Sequence, residues 1–192
     1  MANLVWAVRH ICTEPDSIIV LLDLDDALIG DRVLDAVGAA YDAGADLTVG
    51  SMLRTDKEAR YEVQFDGARN IRGGGNVWQH LRTFRKRIFD AVPDDALRLN
   101  GQYVPVAHDW AYMLAMVELA ERPMWVHDVL YLYEPFGEGK RELRAWREEV
   151  IAGIVAQNPL SAVSAAHREE ARASHLKSSR DTGGGHHARK NG

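Results

Sequence analysis

One cysteine, Cys12, is all the sequence holds. That excludes an intrachain disulfide and fits a reducing compartment. No apolar run approaches the length of a membrane span. The N-terminus lacks a basic stretch followed by an apolar core and a small-residue cleavage site, so no signal peptide is read and a cytoplasmic location is expected. Positive charge is short as well: 23 Lys and Arg stand against 28 Asp and Glu, a formal net charge of -5. A general nucleic-acid binder would show a basic face instead. There is no internal repeat. What is present, 46% hydrophobic and 27% charged residues over 192 positions, is ordinary for one soluble globular domain with room for a sizeable core.

The negative charge is uneven, since the first fifty residues carry nine Asp or Glu and only two Arg. Its focus is Ile18-Ile19-Val20-Leu21-Leu22-Asp23-Leu24-Asp25-Asp26-Ala27-Leu28. Five apolar residues rich in β-branched side chains read as a short buried strand of the kind found inside a parallel sheet. Three carboxylates follow within four positions. Open α/β sheets bind ligands outside the carboxyl ends of their strands. Carboxylates this close repel unless a cation sits among them, and hard ions such as Mg²⁺ or Mn²⁺ prefer oxygen ligands and carry substrate phosphates. Asp23, Asp25 and Asp26 therefore point to a metal–phosphate site. The plainer reading is that Asp25 or Asp26 caps a helix beginning near Ile29, which explains one carboxylate and leaves the others.

Around this stretch the pattern is α/β. Leu4, Val5, Ala7, Val8 and Ile11 have helical spacing, and Glu14-Pro15-Asp16 ends that helix. Val33, Leu34, Val37, Ala40 and Tyr41 predict a second helix closing near Gly44, and residues 46–52 a second strand. Tyr61 to Phe65 alternates like an exposed strand, and Gly73-Gly74-Gly75 reads as a flexible turn because no Lys-Ser/Thr follows it. Trp78, Leu81, Phe84, Ile88 and Phe89 predict an amphipathic helix from Val77 to Ala91. Its Arg82, Arg85, Lys86 and Arg87 read as a solvated basic face, with anion binding as the alternative. Further on come a loop over residues 93–101, a short extended piece over 103–107, a helix from about Asp109 to Ala120 and an apolar strand from Trp125 to Tyr133. A charged amphipathic helix spans Lys140 to Gln157, and another helical stretch follows Pro159. The expected organisation is a domain over residues 1–137, a helical extension over 138–173 and a disordered tail over 174–192.

Asp109 lies where a loop enters a helix. Its plainest role is that helix's N-cap; an ionised carboxylate at such a junction also serves as a general base toward a sugar hydroxyl.

Four segments in order, Ile18 to Leu28, Asp46 to Lys57, His80 to Phe89 and Gly101 to Tyr133, resemble glycosyltransferase family 2 over roughly residues 1–136. The resemblance implies a partial GT-A fold, a nucleotide-sugar-binding α/β sandwich with a mixed sheet, followed here by C-terminal helices. Asp23-Leu24-Asp25-Asp26 is similar to the family's Asp-x-Asp motif, and Asp109 matches the acceptor-activating base of inverting members. His108 stands where many relatives have Glu. The implied activity is metal-dependent, inverting transfer of a sugar from a nucleotide-diphosphate sugar to an acceptor hydroxyl. Asp23, Asp25 and Asp26 would hold Mn²⁺ or Mg²⁺, Asp109 would act as base, and Arg82, Arg85, His108 and Trp110 would bind substrate. Nothing in residues 1–17 is similar to the family's first, nucleoside-binding strand. The expectation is that a second chain supplies this half, that the reading frame is truncated, or that catalysis is lost.

Two alternatives belong to other classes. Haloacid dehalogenase-like phosphatases also begin with an apolar strand ending Asp-x-Asp, and Asp23 and Asp25 resemble their nucleophile and acid/base. Ala27 departs from that motif, and Asp94-Asp95 follows a proline in a loop where their second acidic pair would follow an apolar strand. The other alternative is a non-catalytic remnant acting as an interaction module.

Overall fold

In the computed structural model the described residues are 1–61, 72, 79–135 and 140–160, without the side chains of 57–61 and 140–143. Residues Met1–Asn158 make one unit and Pro159–Gly192 another, and the description below concerns the first. Both expected domain limits, at 137 and 173, fall outside the described residues, as do the Gly73–Gly75 turn, the helix after Pro159 and the tail.

Six strands of the described residues build one mixed sheet. Its strands are β1 (Ile18–Leu21), β2 (Ala27–Leu28), β3 (Leu47–Arg54), β4 (Lys57–Tyr61), β5 (Arg82–Arg85) and, last in the chain, an eleven-residue strand at Pro123–Tyr133. A two-stranded hairpin, β6 (Arg98–Leu99) and β7 (Gln102–Tyr103), precedes that long strand, which is β8. The order is β1-β5-β3-β8-β2. β3 and β8 run parallel, whereas β5 and β4 lie antiparallel to β3 at its two ends. Leu47, Val49 and Tyr131 on this central pair are closed from solvent.

Helices cover the sheet. α1 (Ala2–Trp6) continues as a π turn to Ile11. α2 (Val33–Asp42) lays Val33, Val37 and Tyr41 against Met52, Leu81, Leu130 and Tyr131. Gly44, at φ +97, then turns the chain into β3, a conformation glycine takes without steric cost. After α3 (Lys86–Asp90) comes α4 (His108–Leu119), whose residues from Trp110 to Val117 are all buried. Asp46 ties the end of α4 to the sheet by accepting the backbone N–H groups of Glu121 and Arg122 at 2.7 and 3.1 Å. α5 (Lys140–Val155) is held at its C-terminus by Arg72, which donates to the carbonyls of Val155 and Gln157 and to Glu118 of α4. That satisfies carbonyls the helix itself leaves open.

Three expectations are corrected. β1 is a terminal strand of the sheet, antiparallel to β5, with Ile18 36% and Leu22 47% exposed. An apolar run marks a strand and fixes neither its depth in the fold nor its neighbours and direction. No helix begins near Ile29, because Ala27 and Leu28 pair with Leu132 and Tyr131 of β8. The Arg82 to Arg85 part of the expected helix is an inner strand. Its Thr83 and Phe84 are fully buried on opposite faces, so the alternation that marks a half-exposed strand is missing. With it the solvated basic face disappears, since Arg82 and Lys86 are both buried.

Candidate functional site

The acidic stretch leaves the end of β1 as a turn, with Asp26 N–H donating to the Asp23 carbonyl at 3.2 Å. Asp26 caps no helix. Its Oδ2 accepts the Tyr131 hydroxyl at 2.6 Å and its Oδ1 the Glu134 N–H at 2.7 Å, which fastens it to the end of β8. The Tyr131 hydroxyl also accepts the Asp23 N–H at 3.2 Å. One buried tyrosine thus fixes the loop at two points. The cap position of α2 belongs to Arg32, without a side-chain bond. The capping reading of Asp26 is therefore overturned.

His80 closes the other side of this loop. Its ring stacks on Tyr131 with centroids 4.3 Å apart and on Tyr133 at 5.8 Å. Only 5% of the residue is exposed, and Nδ1 is buried without a hydrogen-bond partner. Burial, helped by the nearby Arg82 charge, pushes the imidazole down to about 2, so the ring is neutral at physiological pH. Gly50 makes this placement possible. Its N–H donates to the Gln79 carbonyl at 3.3 Å, and a Cβ there would lie 2.8 Å from the His80 carbonyl oxygen and 2.5 Å from the Leu81 nitrogen. Asp23, Asp26 and His80 each offer a ligand atom within 4.8 Å of the other two. Asp25 is exposed and lies outside that group.

Arg82 links the acidic loop to α4. It pairs with Leu21 across β1 and β5, which sets its side chain near the loop that follows. Nη2 donates to Asp109 Oδ2 and Nη1 to the Tyr112 hydroxyl, both at 3.4 Å. Burial alone would weaken the guanidinium's hold on its proton; Tyr112, Asp109 and Asp23 overcome that and keep it charged. Burial pushes the Tyr112 phenol up to about 12. Asp23 holds its proton more tightly than an ordinary carboxylate. Burial is the main cause, Arg82 opposes it, and Asp26, Asp25 and Asp109 add to it. Asp23 and Asp109 therefore feel each other's charge across Arg82. Asp109 sits in the first turn of α4, whose cap position is Ala107, and its Oδ1 is 3.7 Å from Arg147 of α5. The capping reading of Asp109 is overturned as well.

The remaining expected residues lie apart. Arg85 stands at the far end of β5, opposite Ile18, with Nη1 donating to the Asp16 carbonyl at 3.1 Å and its guanidinium over the Tyr41 ring. Trp110 is 5% exposed and offers a ligand little surface. His108 Nε2 lies 3.2 Å from the Met1 amino nitrogen, and burial followed by that ammonium lowers its proton affinity. His80, Tyr112, Tyr131 and Arg147 were not read as site residues from the sequence. A histidine two positions before Arg82 is the one signal that was there to use.

Among the described residues no helix is long and apolar enough to cross a membrane. No protein-family model matches the chain, and no curated protein matches it. Among solved structures it is similar to S. aureus TarS 1-349 in complex with UDP-GlcNAc, with TM-score 0.52 and 14% identity over 82% of this chain and 47% of that one. A second structure of TarS 1-349 aligns with TM-score 0.48 and 12% identity over 82% and 45% of the two chains. The chain thus spans less than half the length of these structures. What it shares with the UDP-GlcNAc complex is the fold, a mixed α/β architecture that is GT-A-like in part.

Proposed function

We propose that the chain carries the metal-binding and acceptor-activating part of a glycosyltransferase. The reaction is inverting transfer of a sugar from a nucleotide-diphosphate sugar to an acceptor hydroxyl. The observation that carries this reading is Arg82, which bonds Asp109 and lies close enough to Asp23 for their charges to act on each other. The family resemblance of the four sequence segments and the fold shared with a UDP-GlcNAc complex support it.

Asp23 and Asp26 would hold a divalent ion, with Asp25 at the exposed rim. The buried His80 ring, which offers a ligand atom within 4.8 Å of those of both carboxylates and leaves its Nδ1 unpartnered, fits such an ion. When bound, the ion supplies positive charge to a diphosphate leaving group. Arg82 adds a fixed guanidinium to the same side, and Tyr112 and Asp109 hold it in position. Asp109 takes the proton of the acceptor hydroxyl as that oxygen bonds to the anomeric carbon. The bond from that carbon to the diphosphate breaks, and its electron pair leaves with the diphosphate. Arg82 and Arg147 set two positive charges beside the Asp109 carboxylate, at 3.4 and 3.7 Å. His108, the residue before Asp109 in the first turn of α4, would contribute to binding the acceptor.

A thermal melt with UDP or GDP, with and without Mn²⁺, tests the reading, because a ligand raises the melting temperature only of a competent folded site. The expected result is a nucleotide shift that requires Mn²⁺ and is lost in Asp23→Asn. No shift with either nucleotide would instead favour an interaction module. Hydrolysis of a generic phosphate ester, abolished by Asp23→Asn, would favour a phosphatase.

A further inference from the structure

We propose that His80 is a nitrogen ligand of the divalent ion beside Asp23 and Asp26, and that it makes this site select Mn²⁺ over Mg²⁺. The proposal deepens the transferase reading and depends on it only for what the ion is used for. The site itself rests on three side chains and the tyrosine that organises them.

Two neighbouring carboxylates alone would mean little, since acidic groups are common on surfaces. The independent observation is a ring that is 5% exposed, with a buried nitrogen that no group satisfies. Burying such an atom unpaired costs free energy, and an ion is one of the few things that removes the cost. His80 offers its ligand atom within 4.8 Å of those of both Asp23 and Asp26. Ligand atoms gathered that closely fall within reach of one cation, whose bonds to oxygen and nitrogen are about 2.0–2.2 Å.

Tyr131 preorganises two of the three ligands. Its hydroxyl donates to Asp26 Oδ2 at 2.6 Å while its ring face holds the His80 imidazole at 4.3 Å. Partners that orient ligands in this way raise metal affinity. Gly50 fixes the His80 backbone from the other side. The donor set is two oxygens and one neutral imidazole nitrogen. Mg²⁺ keeps to oxygen and gives up its waters reluctantly, whereas affinity for nitrogen donors rises from Mn²⁺ through Co²⁺ to Ni²⁺.

The test uses the full chain, stripped with EDTA and free of nucleotide. Mn²⁺ and Mg²⁺ are titrated calorimetrically, and pulsed electron paramagnetic resonance of the Mn²⁺ form reads nitrogen coupling from a coordinated imidazole. The expected result is tighter binding of Mn²⁺ than Mg²⁺ and nitrogen coupling in the wild type. In His80→Gln the coupling disappears and Mn²⁺ affinity falls by about tenfold or more, the loss that even an orienting partner's removal typically causes. Mg²⁺ affinity changes less. Asp23→Asn weakens both ions. If His80→Gln fails to fold by circular dichroism, the wild-type spectrum decides alone. No Mn²⁺ binding, bound Mn²⁺ without nitrogen coupling, or a folded His80→Gln protein that binds Mn²⁺ like the wild type overturns the proposal. Nitrogen coupling without any UDP or GDP protection leaves this site standing and removes the transferase reading. Protection without nitrogen coupling removes only the role of His80.

Discussion

Arg82 and Asp109, from an inner strand and from the first turn of a helix, form a nearly buried ion pair: Nη2 to Oδ2 is 3.4 Å, with side chains 9% and 14% exposed. A buried pair gains its Coulomb energy against a large desolvation cost, so breaking one side hurts more than replacing both. Arg82→Met should destabilise the chain by about 3 kcal/mol, the lower end of the usual cost of orphaning a buried charge. Arg82→Met with Asp109→Leu should cost less than the two single changes summed, although Arg147 keeps a claim on Asp109. Urea unfolding of the wild type, both single variants and the double variant gives the coupling, and strict additivity would dissolve the pair.

His80 should make stability depend on pH in a direction opposite to a paired histidine. Its proton affinity is depressed in the fold, to about 2 from an ordinary value of 6.5. Between those values the unfolded chain binds a proton that the folded chain refuses, so stability falls as pH falls from 6.5 and is fully present above it. The slope approaches about 1.4 kcal/mol per pH unit at most. Urea midpoints in EDTA at neutral and mildly acidic pH should show the loss, and His80→Gln should flatten it.

Gly50 is where the centre of the sheet lets the residues before β5 come close. An added Cβ would meet backbone atoms of His80 and Leu81 at 2.8 and 2.5 Å, and backbone has no rotamer to escape into. Gly50→Ala should therefore cost about 1–3 kcal/mol through overpacking. It should also displace the imidazole. The checks are a lower melting temperature together with weaker Mn²⁺ binding, and an unchanged pair of values would show that the strand can yield.

Much of the architecture was legible because it follows from periodicity. Val33, Val37 and Tyr41 recur with the helical period and face the sheet as α2, and the apolar run before Tyr133 is β8. β5 defeated the same logic. Thr83 and Phe84 are buried on opposite faces, and with Ile88 and Phe89 of the following α3 their spacing imitates one long helix. The acids of the loop could be named from the sequence but not sorted. Asp26 is bound to Tyr131 while Asp25 points to solvent, a difference made by one turn of backbone.

Composition and local pattern alone determined an α/β chain with an acidic loop after an apolar strand and a second carboxylate at the head of a helix. Those properties depend on neighbours in the sequence. Which groups meet was left to the tertiary structure, because the side-chain contacts that shape the site join distant parts of the chain. Strand pairing sets Arg82 beside the acidic loop, α4 brings Asp109 to it, and Tyr131 on β8 holds Asp26 and His80 together. No local spacing encodes such meetings, since each is decided by how the sheet is ordered and which helix covers it.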